Sequence, residues 1–417
     1  MPELGRRGFA LGALAAGAAL AVRPSRLLAA EPALKPITGD VAPIGTAERL
    51  RRLEKARQLM RRHGLGSILI EPGASLDYFT GIRWGRSERL TVALIPADGE
   101  PVVFTPFFEE PSVRESLAVP AEVRTWVEHE DPLKLVAGAL RDRKVGNRPV
   151  GIEETVRFFA VDGLRRAMPR VVIRSAAPVV RGCRMIKSPA EIALMQKAAD
   201  VTVAAYRHTY RQIEKGMTPA EIGAIMNGAT GALGGRPEFA LILLGEASAY
   251  PHGTGKPQAV RRGEVVLMDC GCTVHGYQSD ISRTFVFGEA DAEQRKVWSQ
   301  MRKGQDIAFA AARIGVPAGR VDDAVRRQYE AWGYGPGYKL PGTSHRTGHG
   351  IGMEGHEPVN FVHGEATPLA PGMCFSNEPG IYLPGKFGIR LEDCLYMTAG
   401  GPRWFSTPPP SIDRPFD

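Results

Sequence analysis

Asp269, Asp280, His349, Glu378 and Glu392, all in the second half of a 417-residue chain, could do chemistry together. Acidic side chains normally sit on solvated faces, so carboxylates embedded in apolar strand patterns need a reason. Asp269 closes the run Val265-Val-Leu-Met-Asp269, where an unpaired buried carboxylate would cost several kcal/mol. Asp280 follows eleven positions on, inside Gly276-Tyr-Gln-Ser-Asp-Ile-Ser-Arg-Thr-Phe285. A hairpin turned at Val274-His275 would set Asp269 directly opposite Asp280, with their Cβ atoms about 5 Å apart. Like charges that close share a proton or bind a cation. His349 stands in Gly348-His-Gly-Ile-Gly352, whose glycines let backbone approach closely. Glu378 lies in Asn377-Glu-Pro-Gly-Ile-Tyr382, and Glu392 follows Gly388-Ile-Arg-Leu391, sharing a strand face with Arg390. Four carboxylates and one imidazole form a hard, oxygen-rich donor set suited to two divalent ions. Manganese, cobalt or iron fit it better than the thiolate-rich sites of structural zinc. Singly, Asp269 could be a turn residue and Asp280 or Glu392 an ion-pair partner; jointly they argue for metal.

These residues must be positioned by two unequal halves. Thr46 to Arg62 has helical periodicity, with Leu50, Leu53, Leu59 and Met60 on one face and Gly64 as its stop. Ser67 to Ile70 reads as a strand, and Leu90–Ile95 with Pro101–Thr105 as a hairpin turned at Asp98-Gly99. Helices over Leu133–Arg143 and Val156–Ala167, with short strands at Pro149–Ile152 and Val171–Ile173, complete an α/β half. A break falls near Arg181 to Lys187. Ser188-Pro-Ala-Glu191 and Thr218-Pro-Ala-Glu221 are capping boxes that open two helices, and further helices lie within Asp291–Ala312 and Arg320–Tyr329. Strand-like runs at Glu264–Met268, Ser282–Phe287, Met373–Ser376 and Gly388–Leu391 make this half α+β. The Pro-rich end from Pro408 reads as an extended tail.

At these motifs the chain resembles the metallopeptidases of the pita-bread fold, which include Xaa-Pro aminopeptidases, Xaa-Pro dipeptidases (prolidases) and methionine aminopeptidases. The resembling segments are Asp269 to Phe285, His345-Arg-Thr-Gly-His-Gly-Ile-Gly352 with His356-Glu-Pro358, Asn377 to Tyr382, and Gly388 to Asp393, in the family's order. A weaker resemblance, to the creatinase-like N-terminal domain that methionine aminopeptidases generally lack, covers residues 46–180. The implied architecture is α+β: a pita-bread catalytic domain over residues 187–405 behind a smaller α/β creatinase-like domain. By the same resemblance, Asp269, Asp280, His349, Glu378 and Glu392 hold two divalent metal ions, manganese first, with cobalt, iron or zinc as alternatives. Asp280 and Glu392 would bridge them. The implied reaction is hydrolysis of the Xaa-Pro bond of short proline-containing peptides by a water held between the ions. Glu378 would shuttle the proton, and His356 would contact substrate and stabilise the oxyanion. His252, in Tyr250-Pro-His-Gly253, would be a second catalytic, substrate-side histidine. Arg390 would orient the carboxylates by holding them from outside the ligand set, and would join His252 and His356 in binding substrate. Relatives are commonly dimers, so a homodimer is expected. The competing readings are an amidase or other C–N hydrolase of this fold acting on a non-peptide substrate, and a catalytically inactive peptide-binding module.

Two departures bear on substrate and site. Some prolidases place an arginine between the second histidine and the next glutamate ligand, to hold the peptide's C-terminal carboxylate. Here Pro358 to Asn377 contains neither Arg nor Lys, so the resemblance does not carry strict dipeptidase specificity. Cys270 and Cys272 stand where the family often has small residues, as spacers or as oxidation-sensitive groups.

Composition bounds the rest. With 43% hydrophobic and 24% charged residues, collagen-like and disordered classes are excluded, and at roughly 100–200 residues per domain the length suits two domains. Residues 1–30 read as an address: Arg6-Arg-Gly-Phe9, an apolar run from Ala10 to Val22, then Ala29-Ala30. That is the pattern of a twin-arginine export signal, too short for a membrane helix of about 20 residues. A periplasmic or secreted bacterial protein is expected, without stable membrane insertion after processing. This segment carries a net +3, leaving +5 of the chain's +8, too little and too scattered for a nucleic-acid partner. The five cysteines (Cys183, Cys270, Cys272, Cys374 and Cys394) are irregularly spaced and expected to be buried thiols.

Overall fold

The computed structural model describes residues 33–416; the export signal expected over residues 1–30 lies outside them. Helix α1 (Thr46–His63) ends at Gly64, whose φ of 67° supplies the left-handed cap. Leu53, Ala56 and Met60 face the core. Leu50, expected on that face, is exposed, and Arg49 and Arg52 are buried in its stead. Both arginines have partners there: Arg49 pairs with Asp77, and Arg52 donates to Tyr277 Oη (2.8 Å) and pairs with Glu191. Those last contacts join α1 to the second half of the chain.

Next come β1 (Ser67–Ile70), α2 (Ala74–Thr80), β2 (Val92–Pro96), β3 (Val102–Pro106), α3 (Glu110–Ser116), β4 (Glu122–Trp126), α4 (Pro132–Asp142), β5 (Val150–Ile152), α5 (Phe158–Ala167), β6 (Ile173–Ser175) and α6 (Ala177–Arg184). Their strands form one sheet ordered β4-β3-β2-β1-β5-β6. The β2–β3 hairpin turns about Asp98-Gly99 as expected, while β1–β5, β5–β6 and β3–β4 are parallel. Alternation sends Ile68 and Ile70 into one apolar core and Leu69 into another. A sheet covered on both faces makes its central strand a continuous apolar run, which is how Ser67–Ile70 reads.

The second half opens with α7 (Pro189–Tyr210) and α8 (Pro219–Ala232), each begun by the expected capping box. Then follow β7 (Arg236–Leu244), β8 (Val265–Val274), β9 (Tyr277–Gln278), β10 (Ile281–Val286), α9 (Ala292–Ala311), α10 (Gly319–Ala331), β11 (Gly348–Gly350), β12 (Glu357–Phe361), β13 (Cys374–Asn377), β14 (Ile381–Leu383), β15 (Phe387–Ile389), β16 (Asp393–Thr398) and β17 (Gly401–Trp404). One sheet runs β10-β8-β7 with β9 beside β8, a second runs β12-β11-β13-β16-β17, and β14 pairs with β15. Helices α7 and α8 pack on β8 and β7, and α9 packs on β13 and β15. The end of the chain is not an extended tail: Ile412 is buried, and the Phe416 ring stacks on Tyr206 with centroids 5.5 Å apart. All five cysteines are buried free thiols. Among the described residues, no helix is long and apolar enough to cross a membrane.

Candidate metal centre and active site

The β8–β10 ladder brings the first two carboxylates together in a register different from the expected one. Asp269 stands opposite Ser282, and the chain reverses at His275-Gly276, both with positive φ (49° and 86°). That pair suits a tight hairpin turn, which needs left-handed backbone at both central positions. The shift moves Asp280 from the position facing Asp269 to a diagonal one on the same face, so the carboxylates still converge. Ser282, unremarked in the sequence, sits between them: its Oγ lies 2.9 Å from Asp269 Oδ1 and 2.8 Å from Glu392 Oε2. One hydroxyl hydrogen serves only one of those oxygens. Strand alternation was the signal for it, since Ser282 shares a face with Asp280.

His349 enters from β11, between glycines whose absent side chains matter. A Cβ on Gly348 would lie 2.2 Å from the Ser376 carbonyl oxygen, and one on Gly350 would lie 2.6 Å from that of Glu357. The His349 amide donates to Ser376 Oγ (2.9 Å), and Nδ1 donates to the Gly350 carbonyl (3.1 Å). Nε2 is left facing Glu378 Oε1 at 3.2 Å, Asp280 Oδ2 at 3.6 Å and Glu392 Oε1 at 3.9 Å. Behind it, buried Asp322 of α10 accepts from the Thr347 amide and hydroxyl, anchoring the strand two residues before the imidazole. Glu392 follows β15 and bridges by backbone to Ser282. Arg390, also on the cavity wall, ties the cluster together, its Nη2 2.6 Å from Asp269 Oδ2 and its Nε 3.1 Å from Ser282 Oγ. Its Nη1 goes to the Pro251 carbonyl and to Tyr382 Oη. Tyr382 Oη in turn donates to His345 Nε2 (2.7 Å), a residue quoted above only as part of a motif.

His252, His356 and Glu378 line one cavity of about 620 Å³ together with the other carboxylates and His349. His252 and His356 are exposed at its mouth, and the His356 ring lies edge-on to His349 with centroids 4.2 Å apart. Burial, then the charges of His349 and Arg346, lowers His356 to a pKa of about 4. The neighbouring Glu357 is buried under Lys187 Nζ (3.0 Å) and Arg184 Nη2 (2.6 Å), which come from the junction between the two halves.

Among the described residues, donor atoms of Asp280, His349 and Glu392 all lie within 4.8 Å of one another. Glu392 Oε1 is buried with no hydrogen-bond partner. The donor set therefore fits a divalent cation: oxygen-rich, crowded with like charge, and holding an unmatched lone pair. Without metal, burial and then neighbouring carboxylates push Asp280 and Glu392 well above the usual carboxylate range. Burial also pushes on Glu378, but the hydrogen bond and charge of His349 outweigh it and hold it near 2. A carboxyl raised in the native state stabilises the fold while protonated and loses that contribution as pH rises through its native pKa. Glu378 and Glu357, both lowered to about 2, contribute above their ordinary 4.5 and lose that contribution as pH falls toward 2. Melts of chelated protein should therefore decline as pH rises above the ordinary carboxylate range, a decline that manganese removes. A chelated protein whose stability does not fall as pH rises from that range would refute the charge crowding.

The chain belongs to metallopeptidase family M24, whose profile matches residues 193–399, behind a creatinase/prolidase N-terminal domain matching residues 52–186. Its fold is accordingly the pita-bread one, and the protein is a hydrolase of a metal-dependent peptidase family. It is 35% identical over 357 residues to the probable dipeptidase PepE of Mycobacterium tuberculosis, covering 84% of this chain and 92% of that one. It is 30% identical to the Xaa-Pro dipeptidase of Lactobacillus helveticus, covering 85% and 96%. The crystal structure of dipeptidase PepE from Mycobacterium ulcerans superposes with a TM-score of 0.81 at 32% identity, over 88% of this chain and 98% of that one.

Proposed function

We propose that this chain is an exopeptidase that hydrolyses the Xaa-Pro bond of short peptides. Its two divalent ions, manganese first, would be held by Asp269, Asp280, His349, Glu378 and Glu392, with Asp280 and Glu392 shared between them. One observation carries the reading: buried Asp280 and Glu392 converge on His349 Nε2 with Glu392 Oε1 unmatched, a crowd of like charges that cations would neutralise. Bound there, such ions supply Lewis acidity to the scissile carbonyl and lower the pKa of water.

The chain's own groups do the rest. Glu378, on the cavity wall, takes the proton of the attacking water and passes it to the leaving prolyl nitrogen. His356, neutral at physiological pH, donates an N–H to the developing oxyanion, and His252 contacts the peptide at the cavity mouth. Arg390, Ser282 and Tyr382 keep the carboxylates and His345 in place. The names of the Lactobacillus and Mycobacterium relatives support the substrate class. The same reading assigns residues 46–180 to a creatinase-like domain and 187–405 to the catalytic one. It also includes twin-arginine export to the periplasm or beyond, and a homodimer.

Metal analysis combined with digestion of an Xaa-Pro peptide library, before and after chelation, tests the proposal. Chelated protein should be inactive and manganese should restore it. Full activity after rigorous metal removal, or none on any Xaa-Pro peptide with metals loaded, would sink the reading. Turnover of non-peptide amides alone would favour the amidase.

A further inference from the structure

We propose that Glu238 discriminates among substrates by their first residue, favouring Xaa-Pro peptides in which Xaa carries a cationic side chain, an inference that rests on the function proposed above.

Strand β7 carries a bulge at Glu238. Pro237 stands opposite Cys272 and Phe239 opposite Gly271, so Glu238 between them has no partner on β8. Farther along, Leu241 stands opposite Asp269. Directly opposed residues of an antiparallel pair project from one face, and alternation puts Phe239 on that face too. Both accordingly line the cavity that holds the carboxylates and His349. The other face of β7 belongs to α8, where a Cβ on Gly223 would lie 3.8 Å from that of Ala240. Regular alternation would send Glu238 to that face with Ala240. A bulge re-aims a side chain, and Glu238 lines the same cavity as Phe239 and Leu241.

The charge placed there is unanswered. Asp269 is held by Arg390 and Glu378 by His349, while Asp280 and Glu392 converge on the proposed metal. Among the described residues Glu238 has no side-chain hydrogen-bond or ion-pair partner. An exposed glutamate is ordinary on a surface, but this one stands at a junction. Glu238 and Gln278 line both the metal-centre cavity and a second cavity of about 770 Å³. The other carboxylates of that second cavity are taken, Asp77 by Arg49 and Glu354 by Arg184. Arg236, two positions before Glu238, lines the second cavity and not the first. Position along the ladder decides which cation Glu238 can meet. The bulge lies between Gly271 and Cys272, two and three residues beyond Asp269, hence roughly 7–10 Å along the strand at about 3.4 Å per residue. A peptide's α-amino group sits beside the scissile carbonyl and stays with it at the metal centre. A lysine or arginine carries its charge at the end of an apolar stem, which spans that interval. Proline, the second residue, carries no side-chain charge, so the first residue is the one this carboxylate can discriminate.

The test compares lysyl-proline, norleucyl-proline and glutamyl-proline on the manganese-loaded enzyme, since norleucine keeps lysine's stem without its charge. Wild type should favour lysyl-proline over norleucyl-proline by about 3–10-fold in kcat/KM, between what an exposed ion pair and a buried charge-assisted hydrogen bond supply. Glutamyl-proline should come last, and the lysine preference should shrink as salt rises. In Glu238→Gln the ratio of lysyl- to norleucyl-proline should fall to within about 1.5-fold of unity, and in Glu238→Lys the order should invert, with glutamyl-proline favoured. A merely structural defect would lower all three substrates alike and leave their order intact. Alanyl-prolyl-lysine against alanyl-prolyl-norleucine asks whether the cation is read after the proline instead. A lysine preference found only there, a wild type with none, or a Glu238→Gln protein that keeps the wild-type ratio overturns the inference. If no peptide is cut, the proposed function fails, and calorimetric binding of lysyl- against norleucyl-proline then decides the role of Glu238. Tighter binding of lysyl-proline that Glu238→Gln abolishes sustains it; equal affinity, or no binding, overturns it.

Discussion

Replacing Asp280 by Asn should yield a protein that gains nothing from divalent metal and cuts no peptide, yet is at least as stable as wild type when both are stripped of metal. The substitution keeps the size of a fully buried side chain and removes one negative charge from a group containing Asp269, Glu378 and Glu392. In the metal-free protein that charge is a liability, since burial and its neighbours resist ionisation. With metal present the sign reverses. A ligand at about 100 times its Kd stabilises wild type by about 2.7 kcal/mol, a gain the variant forfeits. Lewis-acid stabilisation of several kcal/mol, at about 1.36 kcal/mol per tenfold, puts the loss of activity at roughly 10³-fold or more. Melts with chelator and with manganese, together with metal content, read all three effects. Wild-type metal stoichiometry in the variant, or a metal-free variant that melts below metal-free wild type, would refute the assignment.

The second large effect is structural. Glu357→Gln should destabilise the protein by about 3–5 kcal/mol, because it leaves buried Lys187 and Arg184 without their shared carboxylate. Arg184 keeps a second partner in half-exposed Glu354, so the uncompensated charge falls mainly on Lys187, whose side chain is 3% exposed. Pairing Glu357→Gln with Lys187→Met should recover much of the loss, since a buried ion pair replaced by apolar groups is often neutral. Glu357 also accepts from the Met353 and Glu354 amides, which shape the loop leading to His356, so kcat should fall along with stability. Denaturant unfolding measures the first effect. A single variant within about 1 kcal/mol of wild type would show the cluster to be incidental.

What was legible in the sequence is what local chemistry dictates. Carboxylates in apolar strands and a histidine framed by glycines pointed to the candidate cluster before any register was known. The capping boxes at Ser188 and Thr218 formed as read, because a cap closes over three residues. Contacts of long range were not legible. The Arg184–Glu357 pair spans 173 residues and leaves no trace in either segment. The hairpin register hung on whether His275 would accept left-handed backbone, and a shift of one residue in the turn exchanged Asp280 for Ser282 opposite Asp269. Arg49 and Arg52 looked like the solvated side of α1 because their partners, Asp77, Tyr277 and Glu191, lie far along the chain.

The backbone bridge between Ser282 and Glu392, separated by 110 residues, also bears on the order in which the protein can be built. A ribosome delivers Asp269 and Asp280 long before His349, and Glu392 after all the other ligands. Until that last segment docks, the hairpin lacks the backbone bridge from Ser282 to Glu392. Closing so long a loop is entropically slow, and non-local pairing of this kind lengthens folding. The candidate metal centre would therefore be a late event in the life of the chain: a translation product that stops short of Glu392 holds most of the fold's residues but lacks one of the proposed ligands.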